Sequence, residues 1–210
     1  MNNKEKITEI LKRLKKEYPE PKTALHFSDP FQLLAATILS AQTTDVLVNK
    51  VTENLFKKYR TMKDYADTPI ETLQKDINSV NFYKTKAKNI QASAKIIIEK
   101  YKGRVPRTME ELVTLPGVAR KTANIILSNA YGILEGIAVD THVKRLSNLL
   151  GITKHGDPVK IEKDLMSVTP REEWNNLSNL LIFHGRKICR ARKPNHTACV
   201  LYDICPSRNI

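Results

Sequence analysis

Long apolar runs are missing from this 210-residue sequence, and acidic residues are too few to balance the basic ones. No stretch approaches the ~18 apolar residues of a membrane span, and no early segment resembles a secretory signal. We therefore predict an intracellular protein without a membrane partner. Only 22 Asp and Glu stand against 35 Lys and Arg, a formal net charge of +13. This excess favours a polyanionic partner such as nucleic acid, although a solvated lysine-rich surface is the alternative.

Cysteine is also scarce. The chain has three cysteines, and all of them lie in its last part: Cys189, Cys199 and Cys205. An odd number crowded into so short a segment argues against a disulfide framework and favours a metal site.

Strand signals are few, whereas helix signals recur along the chain. A capping residue followed by proline, with Gln or Glu at the third helical position, occurs from Asp29, Thr68 and Thr169. These strings are typical of capping boxes. Related caps occur at Thr108, without proline, and at Asp157, without the acid. Together with apolar residues at helical spacing, they predict an all-α protein with nine or ten short helices.

The segment "TMEELVTLPGVARKTANIILSNAYG" predicts a helix, a tight turn and a second helix. Pro116 and Gly117 suit a turn that needs one fixed φ followed by a permissive one. The start of the second helix offers backbone N–H groups that can bind a phosphate. The turn by itself is equally compatible with an ordinary αα-hairpin of a helical bundle.

Lys121 stands at the start of that second helix. A free surface lysine is almost wholly protonated at pH 7 and is a poor nucleophile. Neighbouring Arg120, the helix N-terminus and partial burial would all disfavour the ammonium form, so Lys121 is a candidate amine nucleophile. Such a nucleophile needs a carboxylate, and Asp140 in "VDTH" is the candidate. Asp140 also stands where a helix begins, and a role as N-cap is compatible with the catalytic one.

The strings "LPGVARKTAN" and "VDTH", with "DPFQLLAATILSAQTTD" upstream and "FHGRKICRARKP" downstream, resemble endonuclease III, a bifunctional DNA glycosylase and abasic-site lyase of the helix-hairpin-helix superfamily. The likeness covers essentially the whole chain. It implies a two-lobed all-α fold, with a six-helix barrel lobe over residues 23–134 and an iron-sulfur cluster lobe over residues 1–22 and 135–210. It also implies a cytoplasmic, nucleoid-associated monomer whose partner is double-stranded DNA with a damaged pyrimidine or an abasic site.

The resemblance further implies roles for single residues. The lysine that matches Lys121 attacks C1′ of the damaged nucleotide, the aspartate that matches Asp140 assists, and the Schiff base permits β-elimination. The damaged base must first be flipped out. Gln42 and Phe82 match the positions that fill or wedge the emptied stack, although each could be a loop polar group or a core aromatic instead. Further DNA contacts are expected in the hairpin and the cysteine loop, at Leu115, Gly117, Ala119, Arg120, Arg190, Arg192 and Lys193.

The sequence departs from the family pattern at two positions. The family often has a second hairpin glycine where this chain has Ala119. Alanine is harmless there if the position has helical φ, but phosphate binding is compromised if φ is positive. The family's cluster motif has cysteines separated by six, two and five residues, and this chain has His196 in place of the second.

Imidazole can ligate an iron-sulfur cluster and generally raises its potential. We therefore predict a 4Fe-4S cluster bound by Cys189, His196, Cys199 and Cys205. A cluster without His196, a Cys₃His zinc site and a degenerate site without metal remain open.

Other functions also remain open. A monofunctional relative, such as a mismatch-specific thymine or uracil glycosylase or an adenine glycosylase, would share the fold. Lys121 argues against it, because the water-using relatives place other residue types there. A non-catalytic helix-hairpin-helix DNA-binding protein would need the charge and the hairpin but not the lysine and the aspartate. The leading prediction is a base-excision repair enzyme that removes oxidised pyrimidines and cleaves the abasic site by β-elimination.

Overall fold

A computed structural model describes residues 1–208, and all regular secondary structure in that range is helical. The predicted all-α class is confirmed. The α-helices are α1 (Asn3–Glu17), α2 (Pro30–Ser40), α3 (Asp45–Lys58), α4 (Met62–Asp67), α5 (Ile70–Asp76), α6 (Tyr83–Tyr101), α7 (Met109–Leu112), α8 (Arg120–Tyr131), α9 (Thr141–Leu149), α10 (Pro158–Val168) and α11 (Trp174–Lys187). Single 3₁₀ turns lie at Arg171–Glu173, His196–Ala198 and Tyr202–Ile204. The expected count of nine or ten was too low, because α4, α5 and α7 are too short to show an apolar stripe.

Residues 23–133 form one compact unit, and residues 1–22 with 134–208 belong to another. In the first unit α2 is the central helix. Eight of its eleven residues are buried, and it packs against α3, α6 and α8. The segment "FQLLAATIL" is apolar on nearly every side because protein surrounds this helix on nearly every side. None of the helices in residues 1–208 has the length and apolarity needed to cross a membrane.

The second unit is built on α1, α9, α10 and α11. The apolar stripe of α1 is fully buried and comprises Ile7, Ile10, Leu11 and Leu14. Helix α1 packs on α10 and α11, and α11 packs on α9. The contact between α9 and α11 is close at Gly185. A Cβ atom placed on Gly185 would lie 3.1 Å from Cβ and 3.0 Å from Nδ1 of His142.

The helix starts test the predicted caps. Side-chain oxygens accept from first-turn N–H groups at three of the five predicted positions: Asp29, Thr108 and Asp157. The predicted caps at Thr68 and Thr169 are wrong. Pro69 and Pro170 have extended ψ values of 134° and 140°, so each helix begins after its proline and the proline itself occupies the N-cap position.

Replacing Gly185 with alanine tests the packing of α9 on α11. Alanine favours a helix over glycine by about 1 kcal/mol, but its Cβ would press on His142 Cβ, which the backbone of α9 holds in place. We expect the free energy of unfolding to fall by about 1 to 3 kcal/mol, measured by urea denaturation. Gly156→Ala is the control, because its Cβ would meet nothing nearer than 3.9 Å. A Gly185→Ala protein as stable as the wild type would contradict the close contact.

Candidate active site

The turn between α7 and α8 rests on α6. Leu115 and Val118 are buried and anchor the turn, and the hydroxyl of Ser93 donates a 3.1 Å hydrogen bond to the carbonyl of Pro116. Gly117 has a φ of +79°, and a Cβ atom at this position would lie 2.8 Å from Nδ2 of Asn89. Both the backbone conformation and the space therefore require glycine at position 117.

Ala119 ends the turn and is the N-cap residue of α8. Its φ of −91° and ψ of 170° are extended values that alanine adopts without strain. The position is thus neither helical nor left-handed, and the loss of the second family glycine does not distort the turn. Ala119 supplies no side-chain cap to α8. The first N–H groups of this helix therefore donate no hydrogen bond to the side chain of their N-cap residue. An anion-binding helix start requires N–H groups that are not capped in this way.

Lys121 is the second residue of α8 and has an exposed side chain, as has Arg120. The partial burial that we expected for Lys121 is therefore wrong. Asp140, in the other unit, is the N-cap of α9. Its Oδ1 accepts two 2.8 Å hydrogen bonds, from the backbone N–H groups of His142 and Val143. The predicted cap is confirmed, and both cap bonds are made by one oxygen, which leaves Oδ2 out of the cap.

Gln42 and Phe82 share an unusual backbone conformation. Among residues 1–208 only three residues other than glycine have positive φ: Gln42 (54°), Phe82 (56°) and Lys102 (52°). Such a conformation costs of order 1–3 kcal/mol and is concentrated at functional sites. Phe82 is 64% exposed, so its interpretation as a core aromatic is wrong. Gln42 is exposed as well, in the loop that follows α2.

Two residues next to these loops were not singled out from the sequence. The amide of Asn81 donates a 2.6 Å hydrogen bond to the carbonyl of Gln42. Lys86 is buried, and its ammonium reaches back to the end of α2 and the following loop. A signal for Lys86 was present, because it shares its helical spacing with the buried stripe of α6, which continues through Ala87, Ile90, Ser93, Ala94 and Ile97. A lysine on an apolar stripe is either paired or functional.

The second unit brings the predicted metal ligands around one cavity. Cys189, His196, Cys199 and Cys205 all line a cavity of about 280 Å³ that Arg190 and Arg192 also border. No three His, Cys, Asp or Glu side chains in the described part of the chain converge closely enough to hold a single metal ion. Arg190, Arg192 and Lys193 are exposed, as phosphate contacts would require.

Buried polar contacts hold the wall of this cavity. The guanidinium of Arg145 donates to the carbonyls of Gly185 (3.1 Å) and Cys189 (2.6 Å). His184 lies between Tyr18 and Cys199, with Nδ1 3.3 Å from the tyrosine oxygen and Nε2 3.3 Å from the cysteine sulfur. Burial lowers the pKa of His184 to about 4, so the ring is neutral at pH 7. If the Tyr18 hydroxyl donates to Nδ1, then Nε2 carries the hydrogen and donates to Cys199 Sγ.

Comparison with known proteins places these features in a class. The family model of the HhH-GPD superfamily base excision DNA repair protein matches residues 35–171, and the chain belongs to that superfamily. It is 52% identical over 206 residues to endonuclease III of Synechocystis sp., covering 98% of this chain and 94% of the relative. Its identity to endonuclease III of Escherichia coli is 41% over 203 residues, covering 97% and 96%. The structure of a trapped endonuclease III-DNA covalent intermediate is similar, with a TM-score of 0.93 at 45% identity, covering 99% of this chain and 98% of that one.

Within the superfamily, the chain is a member of the endonuclease III family. It is accordingly a base-excision repair enzyme with DNA glycosylase and abasic-site lyase activity. A thermostable thymine-DNA glycosylase has a TM-score of 0.85 at 24% identity, which shows a shared fold only.

Replacing Gly117 with alanine tests the hairpin geometry against a matched control. Gly132 also has positive φ (67°), but a Cβ atom there meets nothing within 4 Å. Gly132→Ala should therefore lose only the backbone term of about 1–2 kcal/mol. Gly117→Ala should lose about 1 to 3 kcal/mol more, because of the overlap with Asn89. Denaturation of both variants measures the difference.

Removing the Asn89 side chain beyond Cβ supplies the cross-check. In an Asn89→Ala background the extra cost of Gly117→Ala should shrink, since two of the three nearest atoms are gone. An equal loss of stability from Gly117→Ala in both backgrounds would show that the contact with Asn89 is not what requires glycine at position 117.

Proposed function

We propose that this enzyme removes oxidised pyrimidines from double-stranded DNA and cleaves the resulting abasic site through a Schiff base on Lys121. The observation that carries the proposal is the position of Lys121. It is an exposed amine one residue inside α8, immediately after a turn whose conformation is fixed by Gly117 and Asn89. The amine must lose a proton before it attacks, because only its neutral form is a nucleophile.

The chemistry follows from an amine at that place. The nitrogen of Lys121 forms a bond to C1′, and the damaged base leaves with the glycosidic electron pair. Opening of the sugar then gives an iminium ion, which acidifies the protons on C2′. Loss of one of these protons expels the 3′ phosphate by β-elimination. The iminium is positive, and a carboxylate beside it stabilises that charge. Oδ2 of Asp140, which the cap leaves out, is the oxygen that we assign to this role.

DNA binding is proposed to use backbone and side chains together. The hairpin, with its buried anchor Leu115 and its uncapped helix start after Ala119, would hold a phosphate through backbone N–H groups. Gln42 and Phe82 would fill the stack from which the damaged base has been flipped, since both are exposed and held in strained conformations. The exposed basic residues of the cysteine loop would add phosphate contacts.

Sodium borohydride trapping tests the nucleophile. Wild-type protein with a duplex containing thymine glycol or an abasic site should give a covalent protein-DNA adduct, because borohydride reduces the imine to a stable amine. Lys121→Gln should give none while it still binds the duplex in a gel-shift assay. Asp140→Asn keeps the cap, because Asn caps about as well as Asp, and should leave stability unchanged while it slows trapping by ~100-fold or more.

Adduct formation undiminished in Lys121→Gln would place the nucleophile elsewhere. A G·T mismatch duplex in the same assay separates the alternative function, since a monofunctional mismatch glycosylase would release thymine and leave no trapped adduct. No base release and no adduct on any substrate would support a DNA-binding protein without catalysis.

The donor set fits an iron-sulfur cluster, because three cysteine sulfurs and one imidazole line a common cavity of about 280 Å³. We propose that Cys189, Cys199, Cys205 and His196 hold a 4Fe-4S cluster there. Burial raises the pKa of the Cys189 and Cys199 thiols, so their thiolate forms need a positive partner, which iron supplies. When bound, the cluster supplies a covalent link between residues 189 and 205, and it can in principle exchange an electron.

His196 is positioned to complete this ligand set. It opens the 3₁₀ turn His196–Ala198, where the side chain of Asn195 accepts from the N–H of Ala198 at 3.3 Å. Its ring packs near that of Tyr202, with centroids 5.9 Å apart. The ring is half-buried and borders the cavity. A neutral imidazole in place of a thiolate removes one negative charge from the ligand shell and favours the reduced cluster.

Iron analysis of anaerobically purified protein tests the ligand assignment. The wild type should be yellow-brown and carry about four irons per chain. His196→Ala should lose iron or give a three-iron electron paramagnetic resonance signal, and His196→Cys should retain the cluster at a lower potential. Thr197→Ala, at the exposed neighbouring residue, is the control. Unchanged iron content and spectra in His196→Ala would exclude His196 as a ligand, and zinc instead of iron would exclude the cluster.

A further inference from the structure

The loops that carry Gln42 and Phe82 are joined by hydrogen bonds from two residues with no assigned role. We propose that Lys86 and Asn81 are positioning residues that hold these two loops in a fixed relative position, so that Gln42 and Phe82 enter the DNA stack as one rigid unit. We call the pair of loops the edge. The proposal rests on the proposed function for its stack-filling role, and its evidence lies in the bonds within residues 23–133.

The ammonium of Lys86 donates only to oxygen atoms at the end of α2 and in the loop that follows it. Its Nζ donates to the carbonyls of Leu39 (2.8 Å) and Ala41 (2.6 Å) and to the hydroxyl of Thr43 (3.0 Å). The residue is only 5% exposed, and these three acceptors match the three hydrogens of an ammonium. The last carbonyls of a helix lack partners within the helix and carry the negative end of its dipole. Lys86 thus caps α2 from a neighbouring helix and fixes the residues on both sides of Gln42.

The same residue is bonded to the other loop. The backbone N–H of Lys86 donates to the carbonyl of Phe82 at 3.1 Å, in the first turn of α6. The main chain of Lys86 therefore contacts Phe82, and the side chain of Lys86 contacts the loop of Gln42. Burial lowers the pKa of Lys86. The three oxygens supply the hydrogen bonds that water gives to an exposed ammonium.

Asn81 makes the second connection. Its side-chain amide donates to the carbonyl of Gln42 at 2.6 Å, and it directly precedes Phe82 in the chain. The carbonyl of Gln42 is therefore held by the residue that precedes Phe82. A left-handed conformation at Gln or Phe persists only where surrounding contacts impose it. The bonds of Lys86 and Asn81 are the contacts that impose it here.

A purely structural role for Lys86 predicts a different result from a positioning role. If Lys86 only caps α2, its loss lowers stability and affects every substrate equally. If it aligns Gln42 with Phe82, its loss affects only substrates that have a base stack to fill. Single-stranded DNA with an abasic site has no opposing stack, whereas the corresponding duplex has one. The ratio of the two rates therefore separates alignment from stability.

The experiment measures single-turnover borohydride trapping on duplex and on single-stranded abasic DNA. Lys86→Met and Asn81→Ala should each slow trapping on the duplex by about 10- to 100-fold and change the single-strand rate by less than about twofold. Lys95→Met is the matched control: it removes the same charge from the same helix at an exposed position and should leave the ratio unchanged. A 2-aminopurine placed opposite the abasic site should brighten less with both variants, because the opposite base stays stacked.

Three outcomes would overturn the proposal. Equal losses of trapping rate on the two substrates would show that Lys86 only stabilises the fold. Unchanged duplex rates in both variants would show that the positions of the two loops do not depend on Lys86 and Asn81. If Lys86→Met fails to fold, Asn81→Ala decides the question, since Asn81 is exposed and its truncation leaves the core intact. Absence of trapping by the wild type on both substrates would instead refute the Schiff-base function and, with it, the role assigned to the edge.

Discussion

Burial of α2 is the constraint on which the geometry of the first unit depends. Helices α6 and α8 both pack against α2, and the three helices place their functional residues at their ends. Gln42 follows the end of α2, Phe82 precedes α6, and Lys121 lies in the first turn of α8. Because eight of the eleven residues of α2 are buried against its neighbours, a rotation or shift of the helix would open voids and cause overlaps in a close-packed core. The residues that we propose to act on DNA therefore lie at the ends of helices packed around a buried core.

In the hairpin, a close backbone contact extends this rigidity to Lys121, the proposed nucleophile. Gly117 lies against Asn89 on α6, seven residues and so about 10 Å along the helix from Phe82. Helix α6 thus supports the hairpin at one point and the edge of Gln42 and Phe82 at another. For the roles proposed above, one helix thus supports both the loop of Phe82 and the turn that precedes Lys121. Precision of this kind is what a covalent step on a flipped nucleotide requires.

Sequence predicted the parts of this arrangement that depend on local chemistry. The helical class, the turn at Gly117 and the caps at Asp29, Asp140 and Asp157 follow from residue type and spacing, and the structure bears them out. The predicted caps at Thr68 and Thr169 failed, because the extended ψ of Pro69 and Pro170 makes each helix begin one residue later, and residue type alone does not fix that backbone path. The exposure of Lys121 and Phe82 depends on elements distant in the chain, which local pattern does not describe. The spacing of Lys86 could mark it as a buried lysine but could not identify its acceptors at the end of α2.

The choice of acceptors for Lys86 has an electrostatic consequence. Carbonyl and hydroxyl oxygens satisfy the hydrogens of an ammonium but cancel none of its charge, and no carboxylate is among the three acceptors of Lys86. A protonated lysine there leaves one whole positive charge fixed beneath Gln42 and Phe82. Salt screens exposed lysines at the surface far more than a buried one. The same bonds thus place a fixed positive potential beside Gln42 and Phe82, which would attract the phosphate backbone towards the side chains that we propose enter the stack.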